Sequence, residues 1–479
     1  MKGMKMTDVL ETRNVVVVGG GLSGLSAALE VRRVAAEKGL AVNVTVLERD
    51  ERVGGKIGSV RKEGFLCETG PNGFLDNKPA TMALVSRMGV EDKLLKSSDD
   101  ARKRYVFSGG RLQQIPEDPI SFITSELMSI RGKIRLAAEM FLPQGDPAVD
   151  ETVAQFVRRR LGQEALDKLI DPMAAGVYAG DPSMMSLQSC FPKVAMIEQQ
   201  FGGLLRGMLA MQKMAKAQGK QGPQSAGPTG VLWSFGAGTI ELPELIAAQL
   251  GDGAVRTSTS AVALERDGNG WSVKTDTGDT LAADAVVLAA PAYDAAVLVR
   301  PHLEAGAKML SNIPYVPTAI VCVGYERDDV PLPLDGFGFL IPTKEGRRIL
   351  GSLWSSSIFV KRAPDGKVLL TLIVGGARNP ELVGLSDEEL EKVCRAELEL
   401  TMGIKAAPIF SFASKWARAI PQYMVGHAAR VAKLEEEVAA LGGLYLGGNS
   451  FYGIGINDCT ARAEVLGPLV VDGLLEGRQ

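Results

Sequence analysis

The sequence predicts an α/β fold built on a parallel sheet, and three observations lead there. An apolar strand, Asn14-Val15-Val16-Val17-Val18, runs straight into Gly19-Gly20-Gly21-Leu22-Ser23-Gly24. A helical pattern over 25–38 and a second strand over 42–47 follow, with an acid, Glu48, just past it. Far along the chain the order strand, glycines, helix returns, with a strand over 444–446, Gly447-Gly448, and a helix beginning near Asn457. Between the two, the apolar run over 285–291 reads as a buried parallel strand rejoining the first sheet.

The first of these units carries chemistry. Gly19 permits a tight turn, Gly21 lets a pyrophosphate approach the backbone, and Gly24 lets the helix pack on the strand. The helix N-terminus around Gly20, Leu22 and Ser23 offers free N–H groups and a positive dipole end, and Glu48 can grip ribose hydroxyls. This pattern binds an adenine dinucleotide. The loop after it, Arg49-Asp50-Glu51-Arg52-Val53-Gly54-Gly55-Lys56, brings a second glycine pair and a base toward the same ligand. A hairpin turn before a strand over 56–60 is the other reading of Gly54-Gly55. The joint order of acid, Arg49, Gly55 and Lys56 resembles the extended fingerprint of the amine-oxidase-like flavoproteins, which implies FAD. No Cys or His lies within the glycine motifs, so the flavin is expected to be non-covalent.

Composition narrows the function classes. A chain of 479 residues is long enough for two or three domains and a large core. Its net charge of −3, with mixed signs, gives no footprint for nucleic acid. Neither a signal peptide nor a run of ~18 apolar residues that could span a bilayer is seen. The five cysteines, at 67, 190, 322, 394 and 459, are scattered, which fits a reducing cytoplasm. With only His302 and His427, a His-based metal site or catalytic triad is close to excluded, and no metal is expected. The chemistry must come from a cofactor.

The remaining elements follow in chain order. Residues 101–218 show mainly helical periodicity, as over 132–142 and 153–161. Residues 220–230 are a Gly/Gln/Ser/Pro stretch, read within a mobile loop over 218–230. Short strands are predicted over 255–259, 262–266 and 271–275. A second sheet is predicted from strands over 316–325, 336–341, 348–354 and 368–374, with a helix over 386–402. In the closing unit, Ile454, Gly455 and Ile456 form a helix start. A flavin has an N1–C2=O edge that becomes anionic on reduction, and a helix N-terminus aimed there stabilises the reduced form.

Several longer runs are far more particular. They are Glu68-Thr-Gly70-Pro71-Asn72-Gly73-Phe74-Leu75, Ala175-Gly-Val-Tyr-Ala-Gly180-Asp181-Pro182, Gly336-Phe-Gly-Phe-Leu-Ile-Pro342, Pro421-Gln422-Tyr423 with His427, and Gly448-Asn-Ser-Phe-Tyr-Gly-Ile-Gly-Ile-Asn-Asp-Cys459. In this order they resemble the protoporphyrinogen/coproporphyrinogen oxidase family over nearly the whole chain. The resemblance implies a Rossmann-like FAD domain of the hydroxybenzoate-hydroxylase type (1–61, 231–300 and 415–479). It also implies an interleaved mixed-sheet substrate domain (62–100 and 301–414) and a helical membrane-associating domain (101–230). The implied reaction is FAD-dependent oxidation of protoporphyrinogen IX to protoporphyrin IX in haem biosynthesis, six electrons in three flavin cycles, with oxygen as acceptor. No protein base is nominated, because the sequence does not show one.

Site residues come over from the same resemblance. For the flavin they include Gly70, Pro71, Asn72, Gly73, Val262 and Trp416, the last with an alternative as a core aromatic. For the substrate, Arg104 in Ala101-Arg-Lys-Arg-Tyr105 would pair with a propionate, since its planar fork meets a carboxylate bidentately. The alternative is a solvated basic face. Ala175 and Gly176 would give small backbone contacts, and Leu340, Leu353 and Ile373 would sandwich the macrocycle, although each taken singly reads more readily as core. Coproporphyrinogen III, with four propionates, is the alternative substrate; Arg104 leans against it, while the Lys56 loop and Lys78 keep it open. More distant alternatives are a flavin amine oxidase or desaturase, and a non-catalytic binder on the same scaffold. The segment 203–216 is amphipathic and could lie in a headgroup layer, or equally form a core or dimer helix. The expectation is a cytoplasmic protein, peripheral on the inner face of the cell membrane. A homodimer and hand-over to a ferrochelatase are part of the same picture.

Overall fold

In the computed structural model, residues 12–217, 230–268 and 270–477 are described. The expected loop at 218–230 therefore lies, except for Gly230, outside the described residues. Among the described residues, five parallel strands form one sheet in the order Val255–Arg256, Val42–Leu47, Arg13–Val18, Ala285–Leu288, Leu444–Leu446. Alternate side chains of its central strand enter different cores. Val15 and Val17 pack with the helices Leu22–Glu37 and Ile456–Glu476. Val16 and Val18 pack with Trp271 and Val273 of a three-stranded sheet and with Val431 and Leu434 of the helix His427–Ala439. Burial on both faces explains why these strands read as unbroken apolar runs.

A seven-stranded sheet forms the second layer. Its order is Phe410–Pro421, Tyr315–Glu326, Lys367–Gly375, Ile349–Leu353, Gly338–Leu340, Arg104–Ser108, Arg111–Gln114. Gly338–Leu340 and Arg104–Ser108 run parallel, and the other neighbours run antiparallel. One face, with Val321, Val323, Phe339, Leu370 and Leu372, is sealed by Leu390, Cys394 and Leu398 of the helix Asp387–Met402. That helix is capped by Ser386 and Glu389, which exchange hydrogen bonds with each other's backbone.

Three sequence expectations need correction. Residues 104–114 are not helical but a hairpin on the edge of the seven-stranded sheet; alternation of Val106 and Ser108 with Tyr105 and Phe107 is the strand signal within a longer helical-looking stretch. Residues 74–94, expected in the substrate part, send Phe74, Leu84, Val85 and Met88 into the core around Val15. The boundary drawn at 415 cuts through one strand, Phe410–Pro421. The remaining helices, among them Val153–Arg160, Asp171–Tyr178 and Pro192–Phe201, gather around Phe156, Ala174, Tyr178 and Tyr423.

Candidate active site

The glycine turn after the first strand folds as its spacing requires. Gly19 takes φ +110°, a region that favours glycine, with no room for a Cβ against Ala290 N. A Cβ on Gly24 would overlap the Gly19 carbonyl, so helix and strand touch here. Gly21 is different: a Cβ added there would meet only backbone, Gly55 Cα at 3.9 Å and Gly54 O at 4.0 Å. It also caps the helix Leu22–Glu37 with no side-chain hydrogen bond, leaving first-turn N–H groups for a ligand. Glu48 accepts from Gly20 N at 2.8 Å and from Asp50 N at 2.9 Å. Burial pushes its carboxyl above the ordinary range, against these two hydrogen bonds.

The second glycine pair is no hairpin turn. Gly54 N donates to Gly20 O at 2.9 Å, and Gly21 and Gly54 form a parallel bridge. The loop over 70–73 closes against the same place, for a Cβ on Gly70 would strike the Lys56 carbonyl. Trp416 is half-buried and donates its indole N–H to Thr69 O at 2.8 Å, immediately before Gly70. It is therefore a wall residue of this loop and not a core aromatic. Lys56 reaches the Ala419 carbonyl and lies 4.8 Å from the Tyr315 ring centroid. Burial pulls its pKa down to about 8.

The two distant glycine signals meet. A Cβ on Gly448 would sit 3.4 Å from Ala289 O, beside the residues that crowd Gly19. Leu22 and Leu25 pack with Ile456 and Cys459 in one buried cluster, which sets the two helix N-termini side by side. Asn457 Nδ2 donates to Leu75 O at 2.7 Å and ties the C-terminal helix start to the 70–75 loop. Asn72 Nδ2 and Asn457 Oδ1 are buried with no hydrogen-bond partner. Two backbone cradles, an acid and unpaired buried amide groups fit a dinucleotide that carries a second polar ring system. Arg49 and Val262 sit further out. Arg49 is half-exposed and paired with Asp294 at 3.0 Å. Val262 is half-exposed, three residues past Thr259, whose N–H donates to Glu48 O.

The expected substrate residues also converge, on the open face of the seven-stranded sheet. Arg104 pairs with Gly338, which pairs with Leu353. In the next row Leu340 pairs with Gly351, Gly351 with Ile373, and Ile373 with Ile320. Directly paired residues, and residues two apart, share a sheet face. Arg104, Leu340, Leu353 and Ile373 thus form one wall, opposite to the sealed face, and Trp416 belongs to the same side through Thr318. All five are only partly buried. The helix Asp171–Tyr178 leans on this wall: Ala175 packs beside Ile373, and a Cβ on Gly176 would lie 2.7 Å from Leu340 Cδ2.

The basic run before Tyr105 separates into three roles. Arg102 pairs with Asp99 at the surface at 2.8 Å. Lys103 pairs with Asp335, which also accepts from the Tyr105 hydroxyl at 2.9 Å. Arg104 stands on the open wall, its guanidinium 5.7 Å from the Phe337 ring centroid. Burial lowers its pKa and Glu117 opposes that shift. In the sequence Phe337 stands out only as part of the run over 336–342. Its signal was the aromatic between Gly336 and Gly338, and it packs beside Leu353 and under Arg104.

Residues 22–464 match the flavin containing amine oxidoreductase family. The chain is 34% identical over 459 residues to coproporphyrinogen III oxidase of Bacillus subtilis (strain 168), covering 94% of this chain and 96% of that one. It is 34% identical over 469 residues to chloroplastic protoporphyrinogen oxidase 1 of Arabidopsis thaliana, covering 94% and 87%. A solved structure from Exiguobacterium sp. 255-15, provisionally named a protoporphyrinogen oxidase, superposes with TM-score 0.81 at 28% identity, over 96% of this chain and 99% of that one. The chain belongs to the flavin-containing amine oxidoreductases and is an oxidoreductase with FAD as its cofactor.

Proposed function

We infer that this chain oxidises a porphyrinogen to a porphyrin in haem biosynthesis, with protoporphyrinogen IX as its substrate. The observation that carries this reading is the single open wall on which Leu340, Leu353 and Ile373 lie in register with Arg104. A broad apolar surface with one cation at its rim suits a hydrophobic disc bearing a carboxylate. FAD held between the glycine turns would accept a hydride from a substrate methylene bridge. The protein's own part is to bind and orient: the wall holds the macrocycle, Ala175 and Gly176 press it from the helix side, and Arg104 fixes its propionate end. Gly19–Gly24, Glu48, Gly55, Lys56 and the 70–73 loop hold the cofactor, and Ile454–Ile456 meets its ring.

A coproporphyrinogen III oxidase is the second reading. It is favoured by the Bacillus subtilis enzyme of that name, as similar to this chain as the Arabidopsis protoporphyrinogen oxidase. One assay decides: each porphyrinogen is mixed anaerobically with the enzyme, oxygen is admitted, and porphyrin fluorescence is followed. Faster turnover of protoporphyrinogen supports the first reading. A tenfold preference for coproporphyrinogen transfers the proposal to the second, and no oxygen-dependent signal with either rejects oxygen as acceptor.

We further propose contact with a membrane surface through residues 119–141. Ile120, Ile130 and Phe141 are 76%, 76% and 79% exposed, and Ile123 and Ile134 are also exposed, alternating with Arg131 and Lys133. Among the described residues no helix is long and apolar enough to cross a membrane, so the contact would be peripheral. The helix Leu204–Ala217 presents Leu209 and Met214 but hides Gly207, and supports this less strongly. Ile123→Glu with Ile134→Glu should abolish co-flotation with anionic vesicles, and unchanged flotation would reject the surface. A soluble form facing the cytoplasm, a homodimer and hand-over of the porphyrin to a ferrochelatase complete the proposal.

A further inference from the structure

Gln422, Tyr423 and His427 are all buried, between the end of the helix Asp171–Tyr178 and the turn at 449–453. Gln422 Nε2 donates to Tyr178 O at 2.9 Å, at the end of the helix that carries Ala175 and Gly176. The Tyr423 ring meets Tyr178 edge-on, with centroids 6.1 Å apart. On its other side it stacks on His427 at 4.2 Å and 14°. The Tyr423 hydroxyl donates to Asn449 O at 2.6 Å and accepts from Gly453 N at 2.9 Å. His427 Nε2 donates to Phe451 O at 3.1 Å, since a carbonyl can only accept.

Two side chains thus hold three backbone groups, at 449, 451 and 453, in the irregular turn before the helix Ile456–Glu476. That turn has no ladder of its own to fix it, and Gly453 takes φ +135°, where a Cβ would also strike Asp458. Its shape is therefore set by the side chains that satisfy its buried polar groups.

We propose that Tyr423 is a positioning residue for the flavin, its hydroxyl pinning the 449–453 turn so that the helix start at 454–456 is held against the ring. This rests on the reading that this helix start meets the flavin. A helix N-terminus stabilises added negative charge, so a loosened turn should weaken binding of reduced FAD more than of oxidised FAD. The experiment reconstitutes each apoprotein with FAD and measures the two-electron midpoint potential, with thermal melting of the same samples. Tyr423→Phe should lower the reduced-to-oxidised affinity ratio about tenfold, a potential about 30 mV more negative. Tyr178→Phe is the control: it removes a neighbouring buried hydroxyl that bonds Cys190 O at 3.0 Å rather than the turn, and should change the ratio less than twofold.

An equal shift in Tyr178→Phe overturns the proposal, because general loosening would then explain the effect. If Gly453→Ala shifts the potential and Tyr423→Phe does not, the turn faces the flavin but Tyr423 does not set it. If neither shifts, the reading that this turn meets the flavin fails as well. Should Tyr423→Phe melt below the assay temperature, His427→Leu, which frees Phe451 and unstacks the Tyr423 ring but leaves its hydroxyl bonds, should shift the ratio the same way by about threefold, and no shift there overturns the proposal.

Discussion

The two halves of the proposed site are built from different material. The cofactor half is made of backbone: Gly19–Gly24, the Gly54–Gly55 pair lying on it, and a helix start at Ile456, with the buried acid Glu48 beside them. The substrate half is made of side chains, drawn one or two at a time from separate strands and a helix. A backbone cradle excludes side chains, so a single added methyl group is an obstruction. A side-chain wall is a sum of separable contributions. The two halves should therefore fail differently, and each variant below asks whether they do.

Arg104→Ala tests the wall at its charged end and carries the largest expected effect. Removing one partner of a buried charge pair costs about 2–5 kcal/mol, so the Michaelis constant for protoporphyrinogen IX should rise by about 30-fold or more. The flavin absorption spectrum and FAD content should stay as they are, because Arg104 stands on a strand of the seven-stranded sheet that belongs to neither cofactor turn. Normal porphyrinogen kinetics in this variant would remove Arg104 from the substrate site. Loss of FAD would show that the two halves are not separable.

Glu48→Ala tests the cradle. A charged acceptor contributes about 1.5–3 kcal/mol, so FAD affinity should fall about tenfold to 150-fold by titration of the apoprotein. At saturating FAD the Michaelis constant for porphyrinogen should be unchanged within about twofold. Unaltered FAD affinity would show that Glu48 serves only the amides of Gly20 and Asp50, which it already holds.

This difference in material also explains what the sequence disclosed. The cradle was legible because its parts are local: a strand, a glycine spacing, a helix and an acid all fall within residues 14–48. The wall has no local spacing. Leu340, Leu353 and Ile373 lie on separate strands, and only the register through Gly351 brings Leu340 and Ile373 together. Each alone reads as core, so they were reachable only through resemblance to a family. The hairpin at 104–114 was missed for a related reason: short edge strands beside a helical region give too few alternations to outweigh their surroundings. Tyr423 was quoted but given no task, since a residue that acts through a turn 26 positions away leaves no mark in its own neighbourhood.

Gly176→Ala probes the helix side of the wall more gently. The new Cβ would lie 2.7 Å from Leu340 Cδ2, the far end of a flexible side chain, so Leu340 can swing aside. Overpacking of this kind costs about 1–3 kcal/mol, and the lower end applies where the obstructing group can move. The Michaelis constant should rise about fivefold with FAD affinity unchanged. If Gly176→Leu is no worse than Gly176→Ala, the helix does not press on the substrate.

His427 sits on the seam between the halves and gives the smallest and most diagnostic effect. Burial pulls its pKa down to about 4 from an ordinary 6.5; Phe451 and Asp150 oppose the shift and Arg430 adds to it. The folded chain therefore refuses a proton that the unfolded chain accepts between these values. Stability from this group is fully present above about pH 6.5 and is lost as pH falls toward 4. Between pH 8 and pH 6 the loss is about 0.8 kcal/mol, and His427→Leu should flatten it in thermal melts of the apoprotein. The seam is not symmetrical, because the imidazole holds Phe451 in the cofactor turn and nothing on the wall. Acidification should therefore release FAD before it weakens porphyrinogen binding, and the reverse order would place His427 on the substrate side.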